Sequence, residues 1–218
     1  MSVDIIDRWD HGFGWSAGED DPIYRTSHAL VDDGDVWLVD PVDFPDLDAT
    51  VAEYGTVRGA VVLLDRHKRD AAPIADRHDV PVLLPEALAP IRDAFDAPVE
   101  VFGDDGGPTG YRSIPVMANR FWREVALYDD PSGTLVVPEA LVTAPAMCVN
   151  EERLAVHPVL RPIPPRSQFG GLTPSRILVG HGPGIHADAS TALATALARA
   201  RVNMPRAYWK LLVNSISR

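Results

Sequence analysis

The feature that most limits how this chain can fold is an unbroken apolar run that ends in a burst of charge. Residues Gly59-Ala60-Val61-Val62-Leu63-Leu64 lead straight into Asp65-Arg66-His67-Lys68-Arg69-Asp70. A continuous run without polar alternation is the pattern of a strand buried on both faces, as in a sheet covered by helices. A second run, Ile177-Leu178-Val179, leads into Gly180-His181-Gly182. The two runs predict an α/β architecture with titratable residues gathered just past strand ends.

Composition narrows the class. The 218 residues, 46% of them hydrophobic, suffice for one domain with a real core, read here as residues 1–218. No run of 18 apolar residues is present, so no transmembrane helix is expected. Met1-Ser2-Val3-Asp4-Ile5-Ile6-Asp7 lacks a basic region followed by an apolar stretch, so no signal peptide is expected and the location follows as cytoplasmic. The single cysteine, Cys148, excludes an intramolecular disulfide and a Cys-rich zinc module, and reads as a small buried hydrophobe. A net charge of −11 argues against nucleic acid as a general partner. Of 31 acidic residues 23 are Asp, and only Lys68 and Lys210 are lysines. That bias reads as a hydrated acidic surface suited to high salt, where ions screen its self-repulsion.

Along the chain the first strand is expected at 24–31. It closes at Asp32-Asp33-Gly34-Asp35 and is followed by a strand at 36–39 that stops at Asp40-Pro41. Residues 46–54 have helical spacing and an Asp-rich first turn suited to the helix dipole. After the strand at 61–64 come a helix over 69–77 with Pro73 in its first turn, a strand at 80–84 and a helix over 86–95 around Pro90. Short strands follow at 99–102, 111–117, 125–128 and 134–137, with loops at 103–107 and 129–133. Pro158, Pro162, Pro164, Pro165 and Pro174 make 149–175 an extended loop and suggest a rigid cover. A strand at 177–179 precedes a helix over 189–202, with Asp188 as its N-cap. Pro205 separates it from a basic terminal helix at about 206–217. This order suits two sheets face to face with helices outside, though the pattern allows other α/β folds too.

In order and spacing, four segments resemble the metallo-β-lactamase superfamily: 36–41, 61–70, 125–128 with 134–141, and 177–182. The resemblance spans about Tyr24 to Leu197 and implies a four-layer αββα sandwich. There the first loop carries His-x-His-x-Asp-His and a late strand ends in Gly-His-Gly. Here Asp65 stands at the first histidine, His67 is kept, Arg69 replaces the aspartate and Asp70 the next histidine. The third-ligand histidine falls near Arg120, Pro138-Glu139 replaces Gly-Asp, and His181 is kept.

The family's chemistry needs imidazoles and carboxylates converging on one or two zinc ions that turn bound water into hydroxide. A guanidinium cannot ligate metal and repels a nearby cation. The resemblance therefore leads to a degenerate member with no metal or other cofactor expected. Its pocket candidates are Asp40, Asp65, His67, Arg69, Asp70, Arg120, Glu139 and His181. In this reading Arg69 and Arg120 take over the metals' role by forked pairs with Asp65, Asp70 or Glu139. Two alternatives stay open. The replacements drifted on the surface, or Asp65, His67, Asp70, Glu139 and His181 hold one Zn, Mn or Fe ion in an ester, thioester or phosphoester hydrolase.

Other residues carry less. Gly180-His181-Gly182-Pro183-Gly184 lacks a Walker lysine, no serine sits in Gly-x-Ser-x-Gly, and His28, His78 and His157 show no partner pattern. Arg199, Arg201, Arg206, Lys210 and Arg218 follow Asp188 with no acid among them. That end reads as a helix docking on the acidic body or on a partner subunit, with a membrane-surface helix as the alternative. Through it the chain could also assemble as a homo-oligomer.

Overall fold

The computed structural model describes residues 3–16, 21, 23–104 and 107–216. The expected helix end near Ser217, and Asp105 and Gly106 of the 103–107 loop, lie outside them.

The chain opens with a hairpin that the sequence reading missed, β1 (Asp4–Trp9) and β2 (Gly12–Ser16). Gly12 makes it feasible. Its φ is +150°, and a Cβ there would sit 2.0 Å from the Ala29 carbonyl oxygen. The strands β3 (Thr26–Asp32) and β4 (Asp35–Val39) follow, then α1 (Leu47–Ala52), β5 (Thr56–Val61), α2 (Ala71–His78), β6 (Val82–Pro85) and β7 (Val99–Phe102). These seven strands form one sheet in chain order, antiparallel from β1 to β4 and parallel from β4 to β7. Residues Glu86–Ala94 form 3-10 turns instead of the expected α-helix. Pro90 inside the segment lacks an N–H and crowds the preceding turn.

The second sheet runs β13-β10-β9-β8, from β8 (Arg112–Asn119), β9 (Trp122–Asp129), β10 (Thr134–Val137) and β13 (Arg176–Val179). A small pair, β11 (Leu141–Val142) with β12 (Ala155–Val156), and α3 (Arg166–Phe169) structure the proline-rich stretch. The last element is α4 (Ala189–Ile216).

Alternation along the strands builds four layers. Val36, Leu38 and Val57 pack against Leu47 and Val51 of α1 and Ile74 of α2. The opposite-facing Leu30, Val39, Val61 and Leu63 meet Leu127, Val136 and Leu178 between the sheets. Leu135, Val137, Ile177 and Val179 face Leu193, Ala196 and Ala200 of α4. The fold is the expected αββα sandwich.

Pro205 does not end α4, contrary to the sequence reading. An interior proline costs about 3 kcal/mol, and contacts on both sides offset it. Ala200, Asn203 and Ala207 are buried. Asn203 donates to Glu152 at 2.7 Å, Arg206 bonds Asn150, and Lys210 Nζ donates to the Pro145 and Cys148 carbonyls at 2.6 and 2.9 Å. The basic end thus docks partly on its own body, leaving Val202, Trp209 and Leu212 exposed. Among the described residues no helix is long and apolar enough to cross a membrane.

Two staples position the site. Leu63 O accepts from Val125 N at 2.9 Å and Asp65 N donates to Arg123 O at 3.1 Å, tying the segment that follows β5 to the second sheet. Thr26 N donates to Gly180 O at 2.9 Å and Gly182 N to Tyr24 O at 3.0 Å, tying the end of β13 to the first. Both charged loops are thereby brought to one rim.

Candidate functional site

Asp40 ends β4 with φ +44°, and Arg69 leaves its loop with φ +40°. Neither residue prefers the left-handed region, which persists only where surroundings over-determine it. Here they do. Asp40 Oδ1 accepts from Leu63 N at 2.9 Å and Oδ2 from His67 Nδ1 at 2.9 Å. Arg69 Nη1 donates to the carbonyls of Thr26 (2.6 Å) and Asp40 (2.8 Å), and Nη2 to Gly180 O (3.2 Å). The guanidinium is a cross-tie between β3, β4 and the end of β13.

Bonding to Asp40 puts the His67 proton on Nδ1 and leaves a lone pair on Nε2. His181 is set the same way, since its Nδ1 donates to Ile23 O at 2.8 Å. Both imidazoles are buried. Burial and the Arg69 charge hold His67 below its usual value. Burial, then His67 and Arg69, push His181 down to about 4, so both rings are neutral at pH 7. Atoms of His67, Glu139 and His181 that can bind a metal lie within 4.8 Å of one another, and His67 Nε2 is 3.7 Å from Glu139 Oε2.

Glu139 is held by residues the sequence reading did not select. Arg66 Nε donates to its Oε2 at 2.9 Å, and His157 Nε2 lies 3.4 Å from Oε1. Arg66 also stacks 4.1 Å over the Trp122 ring, and His157 meets that ring edge-on. Burial alone would raise the Glu139 carboxyl, but the Arg66 charge turns the net shift downward. Ile23, Arg25, Arg66, His67, Arg69, Glu139 and His181 line a cleft of about 320 Å³.

The other candidates lie elsewhere. Asp65 accepts from Arg123 N at 3.0 Å and reaches Arg66 only at 3.5 Å. Asp70 turns away to accept from Asp43 N at 2.9 Å. Arg120 is exposed in the two-residue turn between β8 and β9, stacked on Phe121, so counting back from β9 misplaced it. Asn119 Oδ1 accepts from Phe121 N and Trp122 N, closing a tight turn where a ligand loop was expected. The forked pairs of Arg69 and Arg120 with Asp65, Asp70 or Glu139 are not formed. Arg66 supplies the contact to Glu139 that was expected of Arg69 or Arg120.

Glu124, in the middle of this sheet, is wholly buried. Its Oε1 accepts from Glu139 N (2.8 Å) and Ala140 N (2.7 Å), and Oε2 from Trp122 Nε1 (2.7 Å), which fixes the backbone under Glu139. Burial outweighs these donors and pushes its carboxyl up to about 7 from an ordinary 4.5. A raised carboxyl stabilises the fold fully below the unfolded value and loses that contribution as pH rises through the folded one. Stability therefore declines between about pH 4.5 and 7. Thermal denaturation across that window checks it, and Glu124→Gln should remove this part of the slope.

Several solved structures have this architecture. The DIM-1 metallo-β-lactamase aligns with a TM-score of 0.61 at 11% identity, over 95% of this chain and 99% of that one. A metallo-β-lactamase from Pontibacter korlensis aligns at 0.59 and 12%, over 90% and 99%. The apo chemotaxis sensor ODP from T. denticola aligns at 0.57 and 12%, over 93% and 98%. No protein-family model and no curated protein sequence matches the chain. Strand order, layers and these alignments together establish that the chain has the metallo-β-lactamase fold.

Proposed function

We propose that this protein has exchanged the two-metal centre of its fold for a hydrogen-bonded, arginine-lined pocket that binds a small molecule. The observation that carries this reading is the use made of Arg69. Its guanidinium occupies the interior with bonds to three carbonyls, and its Nη2 stands 3.5 Å from His67 Nδ1. Burial lowers its pKa only to about 10, so it stays charged at neutral pH beside the ligands a second metal would need. Asp65 and Asp70 are engaged with backbone N–H groups. The residues present therefore do not fit a dinuclear centre. Similarity of fold does not decide activity, since the structural neighbours include lactamases and a chemotaxis sensor.

One observation favours a second reading. His67, Glu139 and His181 offer two imidazole nitrogens and a carboxylate, each imidazole oriented by an acceptor on its other nitrogen, a set suited in kind to one Zn, Mn or Fe ion. Such an ion would supply Lewis-acid activation for a hydrolase. Arg66 and Arg25, not Arg120, would then hold an anionic substrate.

Elemental mass spectrometry decides between the two, on protein purified in high salt without chelator or metal-affinity tag. Substoichiometric metal, with no gain in melting temperature on adding Zn or Mn, is the expected result. One equivalent of metal that disappears in His67→Ala would establish the single-ion reading instead.

A further inference from the structure

We infer that the cleft takes a small molecule carrying a primary amine and a carboxylate, the amine seated among His67, Glu139 and His181 and the carboxylate on Arg25 and Arg66. The inference rests on the ligand-binding reading above.

The inner end of the cleft is a nest of acceptors. The Nδ1 protons of His67 and His181 go to Asp40 and to the Ile23 carbonyl, so both Nε2 atoms present lone pairs. Glu139 adds carboxylate oxygens, and its partners Arg66 and His157 approach from the sides. Glu139 Oε2 already accepts from Arg66 Nε, whereas the two imidazole Nε2 atoms have no donor among the described residues, so an incoming N–H group finds two ready acceptors beside a carboxylate. A primary ammonium brings three N–H donors on one atom. His67 Nε2 and Glu139 Oε2 stand 3.7 Å apart, near enough for one bound nitrogen to approach both.

The outer end is a set of donors. Arg25 gives its Nε to Asp21 at 2.7 Å, and its side chain is 35% exposed. Arg66 gives Nε to Glu139 and reaches Asp65 at 3.5 Å. Among the described residues the Nη groups of Arg25 and the Nη2 of Arg66 have no acceptor. Planar guanidinium N–H pairs suit a carboxylate. Charge supports a ligand near neutral overall. Arg25, Arg66 and Arg69 face Asp21, Asp40, Asp65 and Glu139, within one charge of balance. A cleft of about 320 Å³ is at the small end for ligands, the size of an amino acid and not of a peptide or nucleotide.

Isothermal titration calorimetry and thermal shift on the metal-free full chain in high salt test this, with glycine, β-alanine and L-glutamate as probes. Glycine betaine keeps the carboxylate and the positive charge but has no N–H; acetate and methylammonium are the two halves. At least one amino acid should bind about tenfold or more tightly than betaine, acetate or methylammonium. Glu139→Gln should weaken it about tenfold or more. Arg25→Ala, at a partly exposed position, should weaken amino-acid binding while leaving methylammonium unchanged, and keeps the test valid if the Glu139 variant misfolds. Equal binding of betaine and glycine, binding of acetate alone, or no binding of any amino acid would overturn the inference. Stoichiometric metal in the elemental analysis would instead overturn the reading it rests on.

Discussion

Arg69→Ala is expected to lower the unfolding free energy by about 3–5 kcal/mol, against less than about 0.5 kcal/mol for Arg120→Ala. Both arginines were expected to stand in for metal, yet only one is built into the structure. Arg69 donates to Thr26 O, Asp40 O and Gly180 O through its Nη atoms, while its buried Nε has no partner among the described residues. Removing Arg69 takes a donor from three carbonyls, of which Gly180 O keeps Thr26 N and Asp40 O keeps Ser27 Oγ, and leaves the buried Asp40 carboxylate short of a neighbouring charge. Arg69→Lys should recover little, because an ammonium on a single stem cannot bridge β3, β4 and the end of β13. Arg120 is exposed and stacks on the Phe121 ring. Chemical denaturation of the three variants checks this. Equal and small losses at both positions would show that Arg69 does not hold the strands together.

The second large effect lies away from the cleft. Arg161 is wholly buried and forms a forked pair with Glu152, Nη1 to Oε1 and Nη2 to Oε2, both at 2.9 Å. Nη2 also donates to Met147 O at 3.1 Å. Val149 N and Asn203 Nδ2 donate to the same carboxylate at 3.0 and 2.7 Å, tying the 147–152 loop to α4. Arg161→Met or Glu152→Gln alone should cost about 3–5 kcal/mol, because each strands a buried partner. For a chain of this size that is a drop of roughly 6–20 °C in melting temperature. Replacing both with apolar residues should recover much of it. Burial alone would raise the Glu152 carboxyl, but Arg161, Val149 and Asn203 bring the net shift below its ordinary 4.5. A lowered carboxyl stabilises above the unfolded value and loses that contribution as pH falls through the folded one. Below about pH 4.5 the wild type should therefore lose stability that Glu152→Gln lacks throughout.

Much of the site was legible before folding. His67 and His181 stand just past apolar strands, Asp40 closes a third and Glu139 follows β10, and the resemblance to the metallo-β-lactamase superfamily implies that these strand ends share one rim. The helix across Pro205 was not legible, because local preference argues for a break and only contacts from 145–152 override it. Nor was the N-terminal hairpin, whose turn depends on how closely Gly12 meets the Ala29 carbonyl.

Hydrophobic periodicity marked the buried strands and where they stop, and the resemblance to the metallo-β-lactamase superfamily supplied the layer order and pointed to Asp40, His67, Glu139 and His181 among its candidates. Which arginine does what depends on packing. Arg69 finds carbonyls and not carboxylates, Arg66 takes Glu139, Arg120 faces solvent, and His157 and Glu124 join from segments without a recognisable motif. The physical reason is that a guanidinium pairs with whichever acceptor the chain brings near. For Arg69 those acceptors are backbone carbonyls, which every residue carries and no sequence pattern singles out.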